Sequence, residues 1–259
     1  MIKTYLRCPI CQKQLSLNQN YVSCGKHHFD VAKEGYVNLC IPVIKGDNLE
    51  LVQAREKFFL HNPFKPLMNA ILPWFSSQDI VLDMGCGIGS YLRYFKKSLP
   101  TLTTIGFDGS KHAIKKASKT DQSSLYVVGN INACPIVDHQ MDVVLSIFAP
   151  FQISEVKRML KPNGYFICVE PGEKHLFELK SVLYPTLRLN LDRKSNTTNL
   201  NLIHEKHIEF MMSCDQSLLM SLFHMTPYAY TTSREAQQKL SSIDQLSVLA
   251  SFIMRVYQV

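Results

Sequence analysis

The chain has 259 residues, of which 46% are hydrophobic and 19% are charged. This balance excludes a mainly disordered chain, because enough apolar side chains are present to form a sizeable buried core. The length allows one large α/β unit, or a small domain joined to one. The formal net charge of +7 is only a weak sign of a polyanionic partner, although residues 1–78 are the more basic part, with nine Lys or Arg against five acids.

The N-terminal sequence and the cysteines predict the compartment. No run reaches the roughly 18–20 uninterrupted apolar residues of a membrane span, and MIKTYLRCPIC contains cysteines before a signal-peptide apolar region could form. We therefore expect a cytoplasmic protein with no membrane partner, whose eight cysteines are thiols or metal ligands. Five of them stand apart among apolar or glycine-rich neighbours and are predicted to be small core residues: Cys40, Cys86, Cys134, Cys168 and Cys214.

The other three cysteines lie close together near the N-terminus. Cys8 and Cys11 are two residues apart, and Cys24 follows after twelve more, before Gly25-Lys26-His27-His28. One tight turn can aim two such sulfurs at a single ion, and the loop returns the second pair to complete a tetrahedral Cys₃His zinc site. Both histidines have acceptable spacing, with His28 preferred as the fourth ligand and His27 the alternative. Four protein ligands leave no open position, so the zinc is expected to be structural.

The next segment is predicted to connect this cluster to the rest of the chain. FDVAKEGYVNL, residues 29–39, predicts a turn at Gly35 followed by a short strand. Between Asn48 and Leu72, apolar residues recur at helical spacing until Pro63 and Pro66 interrupt the pattern. The predicted domains are a zinc-binding module at 1–38, a connecting helical segment at 39–78 and an α/β domain at 79–259.

From Gln78 onwards, short apolar strands alternate with helical stretches, which is typical of βαβ units and a parallel sheet. The predicted fold class is therefore α/β, a sheet flanked by helices. The predicted strands are Ile80–Asp83, Thr103–Asp108, Leu125–Val128, Met141–Ile147 and Tyr165–Val169.

A glycine-rich turn, DMGCGIGS at residues 83–90, follows the first predicted strand. Gly85, Gly87 and Gly89 would let the backbone approach a ligand closely and are expected to leave free N–H groups at a helix start. The second strand ends at Asp108, an acid that can accept hydrogen bonds from both hydroxyls of a ribose. A three-glycine turn alone also occurs in dinucleotide-binding oxidoreductases.

The strand ends together resemble class I S-adenosylmethionine methyltransferases. The phrase Asp-x-Gly-Cys-Gly-x-Gly resembles their first motif, and Gly129-Asn130-Ile131 stands where such enzymes hold the adenine ring. The resemblance implies a Rossmann-like mixed sheet and an S-adenosylmethionine site. Its residues would be Asp83, Gly85, Gly87, Gly89, Asp108, Asn130 and Ile131. Phe148, at the end of the fourth strand, is expected to face donor and acceptor, because ligands bind beyond the carboxyl ends of parallel strands.

Nearly the whole chain resembles the bacterial 23S rRNA guanine-N1 methyltransferases, which carry an N-terminal Cys₃His zinc module. The phrases that carry this resemblance are CPIC, FDVAKEGYVNL, Gln53-Ala54-Arg55, DMGCGIGS, Phe148-Ala149-Pro150, PGEKHLFELK at 171–180 and HMTPYAY at 224–230. CGKHHFD is one residue shorter than the usual Cys-x₃-His-x-Phe-Asp. The resemblance implies methyl transfer to a guanine of a 23S rRNA hairpin, with the guanine(745) type preferred on overall similarity. It assigns the zinc module to RNA recognition and allows a homodimer.

Catalytic residues are harder to assign. His175 and Glu178 are candidates for the group that assists loss of the N1 proton, although the same pattern suits a solvated helix face. Lys174, His175 and Lys180 would alternatively hold RNA phosphate, or His175 would contact the guanine edge. Tyr228 or Tyr230 would stack on a flipped base. No cysteine nucleophile is expected, because guanine N1 has its own lone pair once deprotonated. The alternatives are a methyltransferase for another RNA or a small molecule, and a non-catalytic zinc-containing RNA-binding protein.

Overall fold

A computed structural model describes residues 2–42, 46–187, 189–190 and 200–259 of the chain. The N-terminal part is a four-stranded antiparallel sheet in the order β1-β2-β3-β4. Its strands are β1 (Ile2–Arg7), β2 (Gln14–Leu17), β3 (Tyr21–Ser23) and β4 (His28–Asp30). These strands are too short to enclose a core of their own, which is why the module needs a metal or a neighbour.

The connecting segment contains β5 (Val37–Asn38), α1 (Leu49–Phe59), α2 (Lys65–Ile71) and a 3₁₀ turn at Leu72–Trp74. The Asn48 side chain caps α1 by accepting a hydrogen bond from the Leu51 N–H at 2.9 Å. The predicted helix is confirmed as α1, and the predicted interruption lies at residues 60–64, which include Pro63. Pro66 lies in the first turn of α2, where its missing N–H would have no helical partner.

The rest of the chain alternates strands and helices, as predicted. The strands are β6 (Ile80–Met84), β7 (Thr103–Asp108), β8 (Leu125–Val128), β9 (Met141–Ile147), β10 (Leu160–Pro171), β11 (Asn201–Asp215) and β12 (Gln245–Gln258). The helices are α3 (Ser90–Ser98), α4 (Lys111–Thr120), α5 (Ile153–Met159), α6 (Phe177–Leu183), α7 (Gln216–His224) and α8 (Arg234–Ser241). Within the described ranges, none of the helices combines the length and apolarity that crossing a bilayer requires.

The main sheet has eight strands in the order β11-β12-β10-β9-β6-β7-β8-β5. All neighbours pair in parallel except those of β12, which runs antiparallel to β10 and β11. After β6 the chain builds outwards through β7 and β8, and then returns to place β9 on the other side of β6. This reversal opens a crevice at the carboxyl ends of β6 and β9, the usual ligand position in an open α/β sheet.

The zinc module shares the core of the main sheet. One hydrophobic cluster contains buried module residues together with residues from one face of the large sheet: Leu6, Leu15, Val22, Leu82, Ile105 and Val144. The backbone of β1 also meets the segment before β9, with Arg7 N–H donating to Pro135 O at 3.0 Å. The strand β5, before the predicted boundary at residue 38, pairs with β8 of the large sheet. The predicted domain boundaries stay predictions, and the first of them divides residues that fold together.

Candidate active site and zinc site

A cleft of about 1760 Å³ lies at the carboxyl ends of the central strands. Seven predicted site residues line it: Asp83, Gly85, Gly87, Asp108, Ile131, Phe148 and His175. Gly89, Asn130 and Glu178 are not among the described residues that line it. The cleft runs from the glycine-rich turn to Tyr228 beyond α7, so it joins the predicted cofactor residues to a second region formed by the C-terminal half.

Asp83 is the most distinctive group of the cofactor end. Only 1% of its surface is exposed, and neither carboxylate oxygen has a hydrogen-bond partner among the described residues. Burial, and to a smaller extent the charge of Asp108, raise the pKa of Asp83 to about 7. A buried carboxylate without a donor is costly unless a ligand supplies one. The cationic amino group and sulfonium of S-adenosylmethionine would supply the missing positive charge.

The glycines of the turn matter because they lack side chains, and not because their N–H groups are free. Gly85 N–H donates to Phe107 O at 2.8 Å, and Gly87 N–H donates to an Asp108 carboxylate oxygen at 2.9 Å. The expectation of free N–H groups at these two residues is therefore wrong, because the end of β7 already accepts both hydrogens. Gly85 has φ +77° and lies against the Ala149 side chain, so an added Cβ would clash there. Gly89, also at positive φ, is the N-cap of α3 and packs on Tyr126.

Asp108 is held in position by two backbone donors. One oxygen accepts from Gly87 N–H at 2.9 Å, and the other accepts from Ser110 N–H at 2.7 Å. Burial raises the pKa of Asp108 although these two hydrogen bonds act against the rise. Each carboxylate oxygen accepts two hydrogen bonds, so one position on each remains available for a ribose hydroxyl.

At the end of β8, the residues that line the cleft differ from the prediction. The Asn130 side chain accepts from Asn132 N–H at 2.9 Å and closes a local turn, which is why it does not line the cleft. Gly129 and Ile131 line the cleft instead. Ile131, the apolar neighbour that the motif predicts, lines the cleft and Asn130 does not, and the roles of both residues in holding the adenine stay predictions.

Three residues of the cofactor end were not predicted: Asp47, Arg55 and Tyr91. Arg55 of α1 forms an ion pair with Asp47 and lies 3.5 Å from the position of an added Gly87 Cβ. Tyr91 has a buried hydroxyl without a hydrogen-bond partner in the described chain. All three line the cleft. Gln53-Ala54-Arg55 is one of the phrases that resemble the family. Arg55 reaches the cleft because α1 packs over the glycine-rich turn.

Phe148 forms part of the wall between the two ends of the cleft. It has φ +56°, a conformation uncommon for residues other than glycine, which often marks functional positions. Its ring stacks on that of His175, with centroids 6.1 Å apart and an interplanar angle of 25°. Its side chain nevertheless stays 42% exposed, so an aromatic surface faces the cleft as predicted.

The contacts of the two candidate catalytic residues, and the burial of His175, do not favour a role as general base. Glu178 accepts the Leu249 N–H at 2.7 Å, a structural contact between α6 and β12. His175 Nδ1 accepts the Ser251 N–H at 3.2 Å. Burial, together with the charge of Lys180, lowers the pKa of His175 to about 3, so the ring resists protonation. A general base for guanine N1 is therefore not found in either residue.

The remaining predictions at the acceptor end divide clearly. Lys180 and Tyr228 line the cleft, and the Lys180 ammonium lies 5.9 Å from the centroid of the Tyr228 ring. Tyr230 is 65% exposed and Lys174 is exposed, and neither lines the cleft. The five scattered cysteines are buried as predicted. Burial raises the pKa of the Cys86 thiol, which disfavours the reactive thiolate.

The zinc ligands converge on one point. The sulfurs of Cys8, Cys11 and Cys24 and the Nδ1 of His27 all lie within 4.8 Å of one another. Cys11 Sγ and Cys24 Sγ are 3.5 Å apart, and Cys8 Sγ is 3.4 Å from His27 Nδ1. A tetrahedral ion with Zn–S bonds of about 2.3 Å places its sulfurs about 3.8 Å apart, so the cluster fits zinc.

The fourth member of the cluster is His27, the alternative, and not the preferred His28. His28 is the first residue of β4 and pairs with Ser23, and its ring is exposed and packs edge-on against Tyr21. His27 precedes the strand, in the turn where its N–H also donates to Cys24 Sγ at 3.3 Å. The turn therefore points His27 back at the cysteines, while the strand directs His28 outwards.

Comparison with known proteins agrees with both sites. The family model described as "RlmA, N-terminal", a zinc ribbon, matches residues 6–45, and that described as "Methyltransferase domain" matches residues 82–168. The Bacillus subtilis protein named "Putative 23S rRNA (guanine-N(1)-)-methyltransferase YxjB" is 30% identical, with 93% of each chain covered. The Streptomyces fradiae "23S rRNA (guanine(748)-N(1))-methyltransferase" is 30% identical over 69% of this chain and 68% of that one.

Solved structures support the fold. The structure described as "Complex between the Haloferax volcanii Trm112 methyltransferase activator and the putative methyltransferase" aligns with a TM-score of 0.52 at 17% identity. It covers 80% of this chain and 93% of that chain. At this identity the likeness concerns the fold alone.

The sheet order, the cleft with its buried Asp83 and the zinc ribbon define a class I S-adenosylmethionine-dependent methyltransferase with a structural zinc site. The match to YxjB over 93% of both chains narrows this class. The chain belongs to the family of 23S rRNA (guanine-N1) methyltransferases.

Proposed function

We propose that this enzyme transfers a methyl group from S-adenosylmethionine to N1 of a guanine in a 23S rRNA hairpin. The observation that carries the proposal is the continuity of the cleft from Asp83 to Tyr228. One end has the groups for a cationic nucleoside donor, and the other has the exposed ring of Phe148 beside His175 and Lys180. Such aromatic and polar walls suit a base taken out of its stack.

The acceptor atom is argued from the end of β9. Its side chains are those of Phe148, Ala149 and Pro150, and none of them accepts a hydrogen bond. An exocyclic amine would need such an acceptor to orient its hydrogens, whereas a ring nitrogen needs alignment and loss of its proton. S-adenosylmethionine supplies a methyl group on an already activated sulfonium. The protein therefore has to hold the ring in line and favour deprotonation of N1.

We further propose that the guanine is of the 745 type. This choice rests on the overall sequence resemblance, and the name of the Streptomyces fradiae relative gives position 748 for that protein. The zinc ribbon would contribute to docking of the hairpin, since the N-terminal third is the more basic part of the chain. A homodimer remains a prediction, and light scattering of the purified protein would measure the mass.

The proposal is tested by offering several acceptors to the purified, zinc-loaded enzyme with labelled S-adenosylmethionine. We expect label in a 23S rRNA hairpin, released as 1-methylguanosine on digestion, and none in guanosine, guanine nucleotides or a mixture of metabolites. A matched hairpin with the target guanine replaced by adenine should stay unlabelled. Label in a metabolite, or in RNA as a methylated amine or a methylated pyrimidine carbon, would contradict the proposal.

A further inference from the structure

Lys180 of α6 is a buried cation that has no anionic partner among the described residues. It is 6% exposed, and its Nζ donates a hydrogen bond to Asn190 Oδ1 at 2.8 Å and lies over the face of the Tyr228 ring. Within the described part of the chain, no carboxylate lies within ion-pair distance of it. A buried ammonium usually has a counter-charge, because leaving water is costly. Lys180 lines the acceptor end of the cleft, so the missing anion is expected to come from the substrate.

The contacts of Lys180 hold it in place. Asn190 Oδ1 accepts the hydrogen bond from the Lys180 ammonium, and Asn190 Nδ2 donates to Gly172 O at 2.8 Å. The Asn190 N–H donates to Glu173 O at 2.9 Å. The lysine head is thus fixed against the end of β10, which forms one wall of the cleft. A preorganised cation of this kind is what stabilises charge that develops during a reaction.

His175 provides a second donor nearby. Because its Nδ1 accepts the Ser251 N–H, the neutral ring must carry its hydrogen on Nε2. The ring is held between Phe148 and Phe252, and the Lys180 charge is close enough to oppose its protonation. His175 is therefore a fixed neutral donor beside the aromatic surface of Phe148, and not an acceptor of the N1 proton.

We propose that Lys180, assisted by His175 Nε2–H, binds O6 of the acceptor guanine and stabilises the anion formed when N1 loses its proton. This inference rests on the proposed function. Lys180 is a catalytic residue in this account, since it touches the substrate. The same pair would exclude adenine, whose amino group at this position is a donor and would face two donors.

The step needs only the methyl donor, the guanine and water. The N1–H bond breaks and its proton passes to solvent, while the electron pair is shared between N1 and O6. The Lys180 ammonium stabilises the share on O6. The N1 pair then forms the bond to the methyl carbon as the carbon–sulfur bond of the donor breaks. The products are 1-methylguanine, neutral S-adenosylhomocysteine and one released proton.

In the described part of the chain, the other titratable groups around Lys180 do not supply the counter-charge. Tyr184 packs edge-on against Tyr228, and burial raises the pKa of Tyr228. On α6 itself, Glu178 accepts the Leu249 N–H. Packed against α6 are β12, where Arg255 pairs with Glu170 and Glu205, and α8, with its charged residues Arg234, Glu235 and Lys239. Burial alone lowers the pKa of Lys180, as expected for an ammonium that no charged neighbour supports.

A phosphate is the other anion that RNA offers, and the position of Lys180 disfavours it. Phosphate-binding lysines work as exposed, hydrated point charges on a backbone track. Lys180 instead lies beneath aromatic rings, beside Tyr228 and near His175. A planar ring that slides between such side chains would present an edge atom, and not a phosphate, to the ammonium.

The test measures single-turnover methyl transfer to the rRNA hairpin between pH 6 and 10 for wild type, Lys180→Met, Lys180→Arg and the exposed control Lys239→Met. Donor affinity is measured by calorimetry for each. Lys180→Met should react about a hundredfold more slowly at pH 7, the usual cost of losing one such donor. Its pH–rate profile should move about two units to the alkaline side, because the N1 proton is then lost without help. Lys180→Arg should keep the wild-type position of the profile, and Lys239→Met should match wild type.

The outcomes separate the assignments. A Lys180→Met enzyme with wild-type rate and profile would overturn the role of Lys180. So would a loss confined to the half-saturating RNA concentration that low salt restores, which would mark a phosphate contact. If Lys180→Met fails to fold, Lys180→Gln takes its place under the same criteria. Wild-type enzyme that makes no 1-methylguanosine would overturn the proposed function itself, and this inference with it.

Discussion

At the scale of single residues, two buried ionisable groups lack a matching partner among the described residues, and both lie where a ligand is proposed to bind. Asp83 is an anion without a donor at one end of the cleft, and Lys180 is a cation without a carboxylate among the described residues at the other. Each costs stability in the free protein and is favourable only when the matching ligand is bound. Stability is exchanged for binding at both ends of the cleft.

Asp83 makes donor binding depend on pH. In the folded protein its pKa is about 7, against an ordinary value of 3.8. The folded state therefore holds a proton that the unfolded chain releases, and the free energy of unfolding falls as pH rises between these values and is then constant. A cationic donor favours ionised Asp83, so binding below pH 7 must release a proton. We expect donor affinity to rise about fivefold from pH 6 to pH 7, about twofold more by pH 8, and then to level off.

Calorimetry in two buffers of different ionisation enthalpy would measure this proton release directly. Asp83→Asn should bind the donor weakly and show no pH dependence from this group, while the free variant should be at least as stable as wild type at pH 8. Proton release that is absent at pH 6, or unchanged donor affinity in Asp83→Asn, would contradict the assignment.

Motif residues could be predicted from the sequence, and their partners could not. Asp83, Gly85 and Asp108 belong to one short phrase and the next strand end, so local pattern suffices to place them. Arg55 reaches the cleft only because α1 packs over the glycine-rich turn. The burial of Lys180, and the tautomer of His175 fixed by Ser251, arise from contacts across the sheet that no local pattern contains.

At the scale of secondary structure, the central strands were predictable because they are buried on both faces. Thr103–Asp108, Leu125–Val128 and Met141–Ile147 coincide with the predicted bounds. The long strands β11 and β12 were not predicted. β11 lies at the sheet edge and its first half is exposed on both faces, which removes the alternation of apolar and polar residues that marks a strand. The two-residue strand β5 exists only through its pairing with β8.

The zinc ribbon packs against the main sheet of the larger domain. Leu6, Leu15 and Val22 are essentially fully buried in a cluster shared with the main sheet. Losing the metal would loosen the ribbon and expose that face to water. We expect Cys24→Ser, or removal of zinc by a chelator, to lower the melting temperature of the whole chain in one cooperative transition. Circular dichroism and near-ultraviolet absorbance would both record it.

Two matched variants test the fourth ligand. His27→Ala should lose zinc and show the same loss of stability as Cys24→Ser, whereas His28→Ala should retain one zinc per chain by metal analysis. The opposite pattern would show that His28 is the ligand. An unchanged melting temperature of the methyltransferase part after zinc removal would mean that the ribbon folds independently of the sheet.

At the scale of the whole molecule, the fold brings the proposed donor and acceptor ends into one cleft. The strand order places Asp83 and Asp108 at one end, while the segments around α6 and α7 supply Lys180 and Tyr228 at the other. The zinc ribbon covers one face of the same sheet. Both functional ends and the ribbon therefore depend on a single folded core.

The central claim is methylation of N1 of one guanine in 23S rRNA, and reverse transcription of that RNA tests it most directly, because an N1 methyl group blocks base pairing. RNA from cells that carry the gene should stop the transcriptase at guanine 745, and RNA from cells lacking it should be read through. The stop should return with the wild-type gene and not with Asp83→Asn. A stop at guanine 748 would keep the chemistry and correct the position. Identical read-through across this hairpin in both RNAs would contradict the account.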